Sequence, residues 1–209
     1  MTFQGKITKA KELIREYTNK YPCYGLACSW GKDSVVLLDL FMGETYPEKP
    51  KVFSVLSNTE FLTTLNLRDK ILGKWQIEYK EFIFKQSEEV DDCCRTAKVA
   101  KFQEGIKDID CWFSGLRQDE GVTRRGLDFV IEHDRFNKVK VNPLLDFTEK
   151  DIWRYSAVYQ VPVNALYSEY RSLSCSKCSF KEEDENESER AGRWKGTSNE
   201  GGECGIHKL

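Results

Sequence analysis

Four of the chain's eight cysteines fall into two pairs, Cys93-Cys94 and Cys175-Ser-Lys-Cys178, about eighty residues apart. Four thiolates can hold either a zinc ion or an iron–sulfur centre. Adjacent cysteines serve a single tetrahedral zinc poorly. On a cubane they can reach different irons, so the doublet favours a [4Fe-4S] cluster, with structural zinc as the alternative. Cys28 and Cys111 lie inside apolar runs and Cys23 just ahead of one, where a thiol packs as a small hydrophobe. Cys204 stands apart in Glu203-Cys-Gly-Ile-His207.

A second centre of chemistry is Ser29-Trp-Gly-Lys-Asp-Ser34, directly after the apolar run Tyr24-Gly-Leu-Ala-Cys28. A strand that turns through small residues into a helix aims several backbone N–H groups at one point and adds the helix dipole, which makes an anion site. Gly31 lets the backbone approach a phosphate, Ser29 and Ser34 offer hydroxyls, and Lys32 adds charge. An ordinary capped strand-to-helix turn is the plainer reading of the same residues.

Helical spacing from Thr8 to Lys20, Val35 to Phe41, Leu62 to Trp75 and Glu149 to Val158 alternates with strand-like runs. The runs are Tyr24 to Cys28, Val52 to Leu56, Glu78 to Phe84, Asp110 to Ser114 and Lys138 to Val141. Thr148 and Asp151 form a capping box for the last helix. The alternation predicts an α/β fold, a mostly parallel sheet flanked by helices. Residues 1–180 are expected to form one domain. Residues 181–209, charged at first and then rich in Gly, Ser and Asn, are expected to form a mobile tail carrying Cys204.

At 209 residues with a formal charge of −2, the chain has no broad basic surface, which argues against nucleic acid as partner but leaves room for a small anion. No run is long and apolar enough for a membrane span, and the start MTFQGKITKAKELIREY reads as an amphipathic polar helix, not a signal peptide. A cytoplasmic location is expected, where reduced thiols suit metal or redox chemistry better than a disulfide framework. An assembly of identical chains is compatible with the sequence.

The loop Ser29 to Ser34 resembles the Ser-Gly-Gly-x-Asp-Ser nucleotide loop of the PP-loop superfamily, with Trp30 in place of the first glycine. Cys-Cys, about eighty residues, then Cys-x-x-Cys resembles the cluster signature of assimilatory adenylyl-sulfate and phosphoadenylyl-sulfate reductases. Val141-Asn-Pro-Leu-Leu-Asp-Phe-Thr-Glu-Lys-Asp-Ile-Trp153, Glu189-Arg-Ala-Gly-Arg-Trp194 and Glu203-Cys-Gly-Ile-His207 extend the similarity.

The resemblance implies an enzyme that takes sulfur from adenylyl sulfate or 3'-phosphoadenylyl sulfate as sulfite. Cys204 would be the nucleophile, and thioredoxin or glutaredoxin the reductant. Cys93, Cys94, Cys175 and Cys178 would bind the cluster. Lys98 corresponds to the family's lysine near the cluster, while Ala97 replaces an arginine. Arg117 and Arg124 correspond to an arginine loop whose forked guanidinium groups suit phosphate or sulfate oxygens. Thr59, beside Asn58 and Glu60, corresponds to a further nucleotide loop. Arg171, Arg190 and Arg193 could clamp phosphate, and His207 could tune the thiolate. The rival readings are a PP-loop ATP pyrophosphatase with a cluster, serving sulfur transfer to nucleic acid, and a non-enzymatic zinc or redox module.

Overall fold

Ile7, Ala10, Ile14 and Tyr17 recur at three- and four-residue spacing and form the buried stripe of α1, Phe3–Lys20. The helix begins five residues before the predicted start because the Thr2 side chain accepts from Gly5 N at 3.1 Å. The structure is a computed structural model that describes residues 1–43, 50–87, 93–181, 188–197, 199–200 and 202–207. Within the predicted charged stretch, residues 182–187 lie outside that set.

Among the described residues, six strands make one sheet: β1 Tyr24–Ala27, β2 Lys51–Ser57, β3 Tyr79–Phe84, β4 Cys111–Phe113, β5 Val130–Ile131 and β6 Val139–Val141. Their order is β3-β2-β1-β4-β6-β5, parallel except where β5 runs antiparallel to β6. The chain builds one side of the sheet from β1 through β2 to β3, then returns to place β4 on the other side of β1. In doubly wound sheets ligands bind outside the carboxyl ends of the strands flanking such a reversal. The loop after β1 and the loop after β4 both emerge there.

Helices α2, Lys32–Met42, and α3, Leu62–Trp75, join α1 in the larger core, with Val35, Leu38, Phe41, Leu67 and Ile71 buried. The opposite layer contains a π-helical turn at Cys93–Ala97 followed by α4, Lys98–Gly105, neither of which the sequence reading anticipated. Val99, Phe102 and Ile106 pack there with Phe53, Phe82, Trp112 and the thiols of Cys94, Cys175 and Cys178. A π-helical turn commonly marks a functional position, and this one carries the cysteine doublet.

Helix α5, Glu149–Val158, starts with the predicted capping box: Asp151 N donates to Thr148 Oγ1 at 3.1 Å and Thr148 N donates to Asp151 Oδ2 at 3.0 Å. Thr148→Ala is expected to cost about 1 kcal/mol and lower Tm by roughly 2–4 °C, measured by a calorimetric scan. Among the described residues no helix is long and apolar enough to cross a membrane.

Candidate active site

The loop after β1 carries an unusual conformation at Trp30, whose φ of 62° lies in the left-handed region that favours glycine. Its indole is fully buried and meets Tyr79 edge-on at 5.5 Å between centroids. The bulk that Trp30 brings in place of the glycine is therefore absorbed by the core. Ser29, Gly31, Lys32 and Ser34 line a cavity of about 170 Å³ at the carboxyl edge of the sheet. Gly31 caps α2, and the Lys32 N–H donates to the hydroxyl of Tyr167 at 3.0 Å. Gly115 lets the β4 loop reach this turn: a Cβ there would lie 3.0 Å from Asp33 C and Ser34 N.

Behind and beside the loop, cations and carboxylates alternate. Arg117 is fully buried; its Nε donates to Asp33 Oδ1 at 2.6 Å and its Nη2 to both Glu189 oxygens at 2.6 and 2.7 Å. Lys32 Nζ pairs with Asp33 at 3.2 Å and with Glu189. Burial opposes ionisation of Asp33, but Lys32 and Arg117 outweigh it and pull its pKa down to about 2. Arg124 pairs with Glu120, and donates to Glu203 at 2.8 and 3.2 Å. Arg190 reaches the same carboxylate at 2.8 Å.

That carboxylate immediately precedes the nucleophile candidate. Glu203 Oε1 also accepts from Cys204 N at 2.9 Å, so the two arginines hold the backbone of the tail through one side chain. Cys204 itself is buried and lines the cavity. On its other side, a Cβ at Gly205 would fall 2.7 Å from both Cys94 O and Val99 Cγ2. Arg135 donates to Gly205 O, and only glycine permits this close seating.

The thiols of Cys94, Cys175 and Cys178 share one buried cluster. Hydrogen bonding from Cys178 holds Cys94 and Cys175 below the ordinary thiol range and pushes Cys178 up. Gln86 Nε2 lies 3.5 Å from Cys175 Sγ and 4.0 Å from Cys178 Sγ. Cys93 is buried nearby and accepts from Ser87 N at 2.9 Å. Three of the four thiols share one apolar wall and Cys93 adjoins Cys94 in the chain, and such soft donors suit a thiolate-bound centre. Lys98 faces them from the cavity; burial opposes its charge, but the sulfurs of Cys204 and Cys94 raise its pKa.

The family model described as the phosphoadenosine phosphosulfate reductase domain matches residues 24–181. The chain belongs to that family. It is similar to proteins named adenosine 5'-phosphosulfate reductase from Halalkalibacterium halodurans, 32% identical over 90% of this chain and 88% of the relative. The corresponding protein of Staphylococcus haemolyticus is 33% identical over 96% of this chain and 88% of its own length. Among solved structures, a phosphoadenylyl-sulfate reductase from Candida auris in phosphate complex superposes with a TM-score of 0.66, at 17% identity over 81% of this chain and 89% of that one. An FMN adenylyltransferase from Candida glabrata, bound to FAD and pyrophosphate, gives 0.71 at 18% identity over 89% and 69%. These two structures share the α/β fold, and the chain is an enzyme of the reductase-domain family.

Within this member of the family, Lys98, Arg124, Arg190, Arg193, Cys204 and His207 are brought together around the cavity with the residues of the first loop. Three expected contacts lie elsewhere. Arg117 is walled in behind Asp33 and Glu189. Thr59 instead ties the β2 loop to the second cysteine pair, accepting from Ser176 Oγ at its carbonyl oxygen at 2.8 Å. Arg171 pairs with Glu149 at 3.0 Å, away from the cavity. Residues 189–207, where described, pack against the site, with Trp194 buried and Trp194 N bonded to Cys178 O at 3.2 Å. The ion-pairing roles of Asp33, Glu120, Glu189 and Glu203 escaped the sequence reading, which sought anion-binding groups and thiols.

Glu203→Gln leaves two buried guanidinium groups short of a charge, about 3 kcal/mol at the low end for breaking one partner of such a pair. The expected readout is roughly 100-fold faster alkylation of Cys204 at pH 8, with Gly205→Ala acting in the same direction. Native Glu203 is held far below its ordinary pKa by Arg124 and Arg190, against the opposing effect of burial. Its contribution to seating the tail is thus complete above pH 4.5 and fades as pH falls below that value. The protection of the amides at residues 203–206, taken relative to their intrinsic exchange rates at each pH, should fall below pH 4.5.

Proposed function

We propose that the chain reduces adenylyl sulfate, or its 3'-phosphorylated form, to sulfite. The observation that carries this reading is Cys204, buried in a cavity that Lys98, Arg190 and Arg193 also line, at the sheet's reversal point and adjoining the cluster of thiols. The nucleotide lies along the first loop, where Gly31, Ser29, Ser34 and the start of α2 take phosphate oxygens. Lys98, Arg190 and Arg193 draw charge from the sulfo group, which otherwise repels a thiolate.

The Cys204 thiolate attacks the sulfur, and the bond from sulfur to the phosphate oxygen breaks. Its electron pair leaves with the nucleotide, and the enzyme carries an S-sulfocysteine. A thiolate of thioredoxin or glutaredoxin then attacks Cys204 Sγ, sulfite departs with the S–S electron pair, and a second thiol of that donor resolves the mixed disulfide. The two electrons come from the dithiol. Residues 181–209 act as a tail that seats Cys204 for the first step and presents it to the donor for the second. Cys93, Cys94, Cys175 and Cys178 hold a [4Fe-4S] cluster, which when bound supplies fixed electrostatics beside the site.

Intact-mass analysis under non-reducing conditions tests the reading on anaerobically purified chain mixed separately with each nucleotide. A gain of one SO₃ on Cys204, released by thioredoxin, is the expected result and names the substrate. Absence of the adduct with both nucleotides, with the cluster intact, overturns it in favour of ATP pyrophosphatase chemistry.

A further inference from the structure

Lys140 sits mid-strand in β6, only 3% exposed, in the register position opposite Trp112 of β4. A buried ammonium normally demands a carboxylate, because leaving water costs several kcal/mol. Among the described residues no carboxylate lies within ion-pair distance of it. Its neighbours are the face of the Trp112 ring, 5.0 Å from Nζ to the centroid, and His207 Nδ1 at 3.5 Å, the outer limit of a hydrogen bond. The indole is pinned by its own N–H, which donates to Asp134 Oδ2 at 2.7 Å. The His207 ring stacks on it, with centroids 6.1 Å apart and planes 22° from parallel. Indole and ammonium together fix both the plane and one edge of the imidazole.

We propose that Lys140 is a positioning residue for sulfur transfer to Cys204: it donates to His207 Nδ1, so that the imidazole proton stays on Nε2 and that N–H serves the cavity. This rests on the reductase reading. An ammonium group has donors only, so the nitrogen facing it must accept, and a neutral imidazole then carries its proton on the other nitrogen. His207 lines the cavity beside Cys204 whereas Lys140 does not, so the ring stands between the lysine and the reacting centre. Burial and the charges of Lys140 and Arg124 keep His207 well below its ordinary pKa, against Glu203. Burial, then Arg124, brings Lys140 down to about 8 against the more distant charges of Asp134 and Glu203, so it remains mainly charged at neutral pH.

A neutral N–H suits this step better than an imidazolium. It can donate to an oxygen of the sulfo group without offering a proton to the attacking thiolate. The mismatch of a buried lysine with no carboxylate in ion-pair distance among the described residues is then accounted for by the tail, which brings the imidazole acceptor to it.

The chain has two histidines, His133 and His207, so nitrogen NMR of the ring resonances can be assigned with a single His133→Gln variant. In the intact cluster-loaded chain at pH 7, His207 is expected as the Nε2–H tautomer. Lys140→Met should mix the tautomers and slow Cys204 sulfonation about 10-fold, and Lys140→Arg should restore both. Independently of how the Lys140 variants fold, His207→Gln, whose amide can place a donor near Nε2, should transfer sulfur within about 3-fold of the unmodified chain, and His207→Asn about 100-fold slower. A protonated or Nδ1–H ring in the unmodified chain, an unchanged tautomer in Lys140→Met, or equal rates for the Gln and Asn variants would each overturn the assignment. If the unmodified chain moves no sulfur to Cys204, the reductase reading fails, and the NMR result still decides the Lys140 contact.

Discussion

Cys204→Ser is expected to lose at least about 1000-fold in sulfite formation, because a serine hydroxyl stays protonated where a thiol can ionise. The variant should keep the fold, since sulfur to oxygen removes little volume and Glu203 still receives the backbone N–H. Nucleotide binding should also persist, because the first loop, Lys98 and Arg190 are untouched. The decisive comparison is therefore between equilibrium titration with adenylyl sulfate and single-turnover rate on the same sample. Retained binding with lost transfer assigns the chemistry to the sulfur atom. Retained transfer would remove Cys204 from the mechanism.

Arg117→Met is expected to lower stability by about 3–5 kcal/mol, the largest effect predicted for a residue that does not line the cavity. The guanidinium is fully buried and holds Asp33 and Glu189 by three donated bonds. Methionine fills similar space and leaves Lys32 to neutralise both acids alone. In the native chain Asp33 contributes stability that is present above pH 3.8 and is lost as pH falls toward about 2. Without Arg117 both carboxylates take up protons at higher pH, which relieves their burial. The deficit should thus be greatest near pH 8 and shrink toward pH 5. Urea unfolding across that interval tests it, and a deficit that does not change with pH would show that packing, not charge, is what the arginine supplies.

The frame was legible because its strands are either apolar runs or bounded by clear turns. Tyr24 to Cys28 and Val52 to Leu56 each fall within two residues of β1 and β2. The edge strand β5 escaped because two residues leave no period to read. Helix α4 had a signal, Val99, Phe102 and Ile106 at helical spacing, but the cysteines just before it drew the reading toward ligation alone. The site was legible where chemistry is tied to residue type: thiols, a small-residue loop and arginines. It was illegible where role depends on partner. Nothing in the sequence says that Glu189 turns toward Arg117, or that Lys140 faces His207 and the Trp112 ring. Residue type marked the guanidinium groups, whereas only the fold separates the arginine behind the wall from those that face the cavity.

The charge network also has a history within each molecule. Lys32 waits for Glu189, 157 residues later, and Arg124 waits for Glu203, 79 residues later. While the polypeptide is being made, the loops after β1 and β4 leave the ribosome long before these acids, so until Glu189 and Glu203 arrive Lys32 has only Asp33 and Arg124 only Glu120. Chains truncated near residue 185 should therefore expose these loops to protease, and the protection should return once residue 207 has been added and has folded into place.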